Sequence, residues 1–248
     1  MWTDIGSDAY TRFMGRYAEP LADRFVALAD PRPGQRALDV GCGPGTLTMR
    51  LVDRLGADSV VAIDPSPPFV SSARDRCPGV DVRLGSAEAL PFEDDSYDVA
   101  LAQLVVHFMD DPVAGLREMG RVVTPGGLVG ACVWDERVSG PIAAFWAAAE
   151  EVAPGRVDEP RAGTSAGSLV ELFGAAGLRV ETDTRLQVTA AFTDFADWWT
   201  PYTLGVGPAG ALVASLDPAD RERLRAACAA RLPDGPFEVD ASAWTVLA

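Results

Sequence analysis

The chain has 248 residues, 48% of them hydrophobic and 23% charged, with a formal net charge of −15. This length buries one sizeable core, and the composition is that of a globular rather than a disordered chain. The acidic balance argues against a binder of nucleic-acid phosphates or of an anionic membrane, and leaves neutral or cationic small ligands open.

All 21 basic residues are arginine, so the chemistry of a Schiff-base lysine or a P-loop lysine is excluded. Cys42, Cys77, Cys132 and Cys228 are far apart and form no C-x-x-C pair, which predicts neither a disulfide framework nor a metal site. The opening "MWTDIGSDAY" has no basic n-region and no apolar h-region, so no signal peptide and a cytoplasmic location are expected. No apolar run approaches a membrane span.

Taken in chain order, "YTRFMGRYAEPLADRF" (10–25) reads as a helix. From Gln35 onward strands and helices alternate, which predicts a parallel sheet with helices on both faces. The strands are 36–40, 59–64, 80–85, 97–105 and 128–134. The helices between them are 46–55, 67–77 and 111–123, the last stopped by "TPGG". After Trp134 the rhythm breaks. A helical piece, "PIAAFWAAAEEV", leads into a Gly/Pro-rich stretch, then helix 168–176 and a strand over 178–191 resume the pattern. A second interruption, 192–236, holds "FTDFADWWTPYTLG" and a helix, and "FEVDASAWTVLA" closes as a last strand. The expected organisation is one domain over 1–248: a helical cover (1–34), a core (35–134) and two cap insertions (135–167 and 192–236).

"LDVGCGPGT" (38–46) places three glycines in five residues directly after the first strand. The dinucleotide fingerprint G-x-G-x-x-G requires a third glycine where this chain has Thr46. Asp64 ends the second strand, 23 residues after Gly41, where an acid can accept from both hydroxyls of a ribose. The pair points to a nucleoside without naming it.

Further on come "AEALPF", "SYDVA" and "REMGRVVTPGG". In this order and spacing "LDVGCGPGT", "VAIDPS", "AEALPF…SYDVA" and "REMGRVVTPGG" resemble the class I S-adenosylmethionine-dependent methyltransferases, in their small-molecule branch. The resemblance is close over residues 8–134. It implies a Rossmann-like three-layer sandwich with a mostly parallel seven-stranded sheet, last strand antiparallel. It also implies methyl transfer from S-adenosylmethionine to a small-molecule acceptor at oxygen, nitrogen or carbon, as in secondary metabolism, with no metal, nucleic acid or membrane involved. Carried onto this chain, the cofactor residues would be Asp39, Gly41, Cys42, Gly43, Gly45, Thr46, Asp64, Pro65, Ser66, Ser86, Ala87 and Gln103. Tyr10 and Arg16 of the cover helix would reach the cofactor's carboxylate. Ser86 departs from the aspartate usual in the family, and a serine oxygen is a weaker acceptor than a carboxylate.

His107, the one histidine, is a candidate general base where the acceptor must lose a proton, and equally a candidate core residue. Phe145, Trp146, Phe195, Trp198, Trp199 and Tyr202 of the interruptions can line an acceptor pocket or fasten the caps to the sheet. Three other functions stay open: a non-methylating reaction such as a cyclisation or rearrangement on the same fold, an NAD-dependent oxidoreductase, and a non-enzymatic binding module.

Overall fold

The computed structural model describes residues 7–157, 159–205 and 207–248, with side chains from Met14 onward. Seven strands form one sheet in the order β3-β2-β1-β4-β5-β7-β6. They are β1 (Ala37–Val40), β2 (Val60–Asp64), β3 (Asp81–Leu84), β4 (Tyr97–Gln103), β5 (Val123–Trp134), β6 (Thr182–Phe192) and β7 (Phe237–Leu247). The first five run parallel, and β7 is antiparallel to both neighbours. The expected architecture is therefore the observed one. Every residue of β1 and β2 is buried, as continuous apolar runs covered on both faces should be.

Helices α1 (Ser7–Ala29), α2 (Thr46–Leu55) and α3 (Pro67–Arg76) cover one face, and α4 (Pro112–Val122) and α6 (Ser168–Ala175) the other. On α1, Tyr17, Leu21 and Phe25 recur at a four-residue spacing beside Ala18 and Ala22, and all five are buried. Burying a side chain such as Leu21 or Phe25 contributes about 1.5–3 kcal/mol. The interruptions hold α5 (Ala143–Val152) and the trio α7 (Phe195–Trp199), α8 (Gly207–Ser215) and α9 (Pro218–Ala229). These helices join the α1 side of the core.

One boundary differs from the sequence reading. "TPGG" does not precede the fifth strand but lies within β5, where the register jumps from Tyr97↔Val123 to Val99↔Leu128. The extra residues are accommodated as an irregularity in one strand of the pair.

Chain order reverses between β1 and β4: β1 leads outward to β2 and β3, while β4 leads to β5 on the opposite side. Loops leaving the carboxyl ends of β1 and β4 therefore diverge, and a crevice opens between them.

Candidate functional site

A cavity of about 490 Å³ fills that crevice, within the range that takes a nucleoside-sized ligand. Its floor is the glycine turn. Gly41 has φ +71°, and a Cβ there would sit 2.4 Å from Cγ1 of Val105, so only glycine fits. The amides of Gly41 and Cys42 both donate to the Ile63 carbonyl, at 2.8 and 3.0 Å. Gly43 N donates to Asp64 Oδ2 at 2.9 Å, and Gly45 N to the Cys42 carbonyl at 2.9 Å. Pro44 has no N–H. Every donor of the turn from Gly41 to Gly45 is thus used within the protein, and none remains to cradle a phosphate as a dinucleotide turn does.

The charges agree. Asp39 is buried at the end of β1, and its Oδ2 accepts from the Thr48 hydroxyl at 2.6 Å. Burial pushes its carboxyl up to about 7, opposed by the Thr48 hydroxyl and amide and assisted by Asp64. Asp64, also buried, accepts from Ser66 N at 2.8 Å through Oδ1 and from Gly43 N through Oδ2; burial raises its pKa as well. Two buried carboxylates on the floor repel a pyrophosphate and attract a cation.

Three polar side-chain atoms around the cavity are buried without a partner: Asp39 Oδ1, Ser66 Oγ and Gln103 Oε1. Gln103 is held by its amide, which donates from Nε2 to the Ala18 carbonyl at 3.0 Å. Buried acceptors are normally satisfied, so these mark where a ligand presents donors. S-adenosylmethionine carries an ammonium and ribose hydroxyls, and no phosphate. The donor and acceptor pattern fits it.

Comparison with known proteins agrees. Residues 38–130 match the family model described as a methyltransferase domain. Over these residues the chain is similar to the class I S-adenosylmethionine-dependent methyltransferases. An uncharacterized methyltransferase of Mycobacterium tuberculosis H37Rv is 42% identical over 107 residues, 43% of this chain and 42% of that protein. The match thus spans less than half the length of that curated relative. A Bacillus halodurans C-125 protein shares the fold at TM-score 0.60, with 17% identity over 91% of this chain and 97% of the other. The [4+2]-cyclase SpnF does so at TM-score 0.57, with 22% identity over 92% of this chain and 80% of its own.

The cavity wall contains Asp39, Gly41, Cys42, Gly43, Thr46, Asp64, Pro65, Ser66, Ser86, Ala87 and Gln103. Gly45 is not part of it. With φ +89° it caps α2, and its α-carbon faces Cys77 and Ala73 of the next helix, so its role is the turn itself. Tyr10 lies outside the described residues.

Arg16 is a correction. Its guanidinium turns from the cavity to the second cap, donating to Asp197 at 2.8 and 2.5 Å and to the Ala191 carbonyl at 3.0 Å, over the Phe192 ring. The cap presents a carboxylate and an aromatic face to it, and it lines a separate open groove of about 770 Å³.

The aromatic residues need correcting too. Phe145, Trp146, Trp198, Trp199 and Tyr202 are all buried and line neither cavity. Phe145 and Tyr202 stack at 4.7 Å between ring centres, and Trp199 and Phe195 continue the pile. They fasten the caps to one another and to the sheet. His107 is buried against Phe108, its ring centre 4.0 Å away, and does not line the cavity. Burial and then Arg161 hold its pKa well below the usual value, so it is neutral.

Ten wall residues escaped the sequence reading, among them Glu88, Leu104 and Phe108. Glu88 accepts a hydrogen bond from the Ser86 hydroxyl through Oε2, and its Oε1 accepts from Asp110 N at 2.9 Å. The position that lost an aspartate at Ser86 therefore keeps a carboxylate two residues on. Leu104 adopts φ +62°, a backbone conformation costly for a branched side chain, directly after Gln103. Phe108 forms part of the wall although 37% exposed.

Proposed function

We propose that the chain binds S-adenosylmethionine in the cavity over the glycine turn and transfers its methyl group to a small-molecule acceptor, as one domain whose two interruptions serve as caps. The observation that carries this reading is the set of unpartnered acceptors, Asp39 Oδ1 and Gln103 Oε1, beside a turn with no donor left for phosphate. Asp39 and Gln103 would hold the ammonium group. Asp64, each of whose oxygens keeps a second lone pair, would take the ribose hydroxyls, with Pro65 and Ser66 beside them. The Ala87 amide and the Glu88 carboxylate would meet the adenine ring nitrogen and amino group, the contact that Ser86 gives up to Glu88.

When bound, the cofactor supplies a methyl group activated by a sulfonium, whose positive charge disperses as the methyl leaves. What this chain contributes is position and dryness. Gly41 and Gly43 allow backbone approach, and Leu47, Leu104, Val105 and Met109 form apolar walls that exclude water. His107 is neutral and set back from the cavity, so it takes a proton only from an acceptor that reaches past Phe108.

The test is product analysis. With S-adenosylmethionine carrying an isotopic methyl label, the acceptor should gain one labelled methyl group and an equal amount of S-adenosylhomocysteine should form. A product of unchanged mass, as a cyclisation gives, would contradict the proposal.

A further inference from the structure

Beyond the cofactor cavity, buried and incompletely paired donors gather where the first cap leaves β5. Arg161 donates from Nη2 to Glu136 Oε1 at 3.3 Å, while its Nε and Nη1 are buried with no partner. Glu136 is itself buried, and it also accepts from the Thr164 hydroxyl at 3.3 Å. The Arg161 guanidinium lies over the Phe108 ring, 4.4 Å from its centre, and Phe108 is part of the cofactor cavity's wall. One aromatic ring therefore separates this cation from the cavity. His107 is next to the same ring, and its Nδ1 is likewise buried without a partner.

Burial and, after it, the nearby Arg137 disfavour the protonated form of Arg161, and among the described residues Glu136 is the carboxylate paired with it. The neighbouring Asp135 is occupied by Val138 N at 3.2 Å and the Ser139 hydroxyl at 2.9 Å. Two buried, unpaired guanidinium nitrogens on a partly buried arginine are costly, and they stand out as an anion site.

We propose that Arg161 binds a carboxylate of the methyl acceptor, with Phe108 as the movable partition between that anion and the cofactor. The acceptor class is thus a small organic acid, anchored by its charge at Arg161 so that another atom of it faces the cofactor cavity. This rests on the methyl-transfer reading above. Glu136 orients the guanidinium from one side and leaves its remaining nitrogens for the ligand.

The single histidine makes the test direct, because the imidazole gives one nuclear magnetic resonance signal beside Arg161. The protein, loaded with S-adenosylhomocysteine, is titrated with benzoate and acetate, and with benzamide and acetamide as neutral isosteres. A saturable shift of the His107 signal by a carboxylate and not by its amide is expected. Arg161→Gln should weaken that response at least tenfold, and Arg161→Lys should retain part of it. If Arg161→Gln does not fold because Glu136 is left unpaired, the double variant Glu136→Gln/Arg161→Gln removes both charges and should show the same loss. No response to either carboxylate, an equal response to the amides, or an unchanged response in the Gln variants would overturn the subsite. Calorimetry with S-adenosylhomocysteine on the same samples separates the two claims. A carboxylate response in a protein that does not bind it would support the subsite and overturn methyl transfer.

Discussion

Replacing Asp39 by asparagine should make the ligand-free protein more stable at alkaline pH while damaging cofactor binding. Burial holds the Asp39 carboxyl at about 7 against 3.8 for the free side chain, so the folded state binds the extra proton between those values. The folded protein therefore loses stability as pH rises from about 4 to about 7, and the loss is complete above that. A displacement of this size corresponds to about 4 kcal/mol at pH 8 as a ceiling. Asparagine carries no charge to desolvate, and its amide oxygen can still accept from the Thr48 hydroxyl. A net gain of about 1–3 kcal/mol at pH 8 is expected after allowing about 1 kcal/mol for an imperfect bond. At pH 5, where the wild-type carboxyl is protonated, the two proteins should be nearly equal. Urea denaturation at both pH values measures the difference, and thermal shifts with S-adenosylhomocysteine measure binding. Affinity should fall about tenfold or more, since a hydrogen bond to a charged group contributes about 1.5–3 kcal/mol. An Asp39→Asn protein less stable than wild type at pH 8, or one whose difference is the same at pH 5 and pH 8, would refute this reasoning.

Three further outcomes follow from the geometry. Gly41→Ala places a Cβ 2.4 Å from Val105 at φ +71°, so it should lower stability by about 1–3 kcal/mol and weaken S-adenosylhomocysteine binding, read by denaturation and calorimetry. Phe145→Ala should cost about 3–5 kcal/mol, because the ring is fully buried against Tyr202; urea denaturation reads it, and a stability change under 1 kcal/mol would return Phe145 to the acceptor pocket. Arg16→Ala should leave S-adenosylhomocysteine affinity within twofold of wild type and cost no more than about 1 kcal/mol, since the Arg16–Asp197 pair is partly exposed.

The features legible in the sequence are those whose meaning is local. Glycine spacing, the apolar strands and the acid at the tip of β2 each announce themselves within a few residues, and together they placed eleven of the expected residues around one cavity. Arg16 was misplaced because its partner Asp197 is 181 residues away, and nothing near Arg16 signals it. The aromatic residues illustrate the limit of composition: a cluster that lines a pocket and a cluster that fills a core use the same side chains. Phe145, Trp199 and Tyr202 fill a core here. Leu104 takes a left-handed conformation without the glycine that would advertise it. Glu88 was legible as a charge beside Ser86, but that it accepts the serine hydroxyl's hydrogen bond emerges only from the turn that folds the two together. Arg161 reads as one surface arginine in a polar, Gly/Pro-rich stretch until the cap brings it against Phe108.

The central claim is that the glycine turn serves S-adenosylmethionine and not a dinucleotide. Calorimetric titration of the wild-type protein with S-adenosylhomocysteine and, separately, with NAD tests it most directly. Saturable one-to-one binding of S-adenosylhomocysteine with no detectable heat from NAD is predicted. Tight binding of NAD with none of S-adenosylhomocysteine would contradict the account.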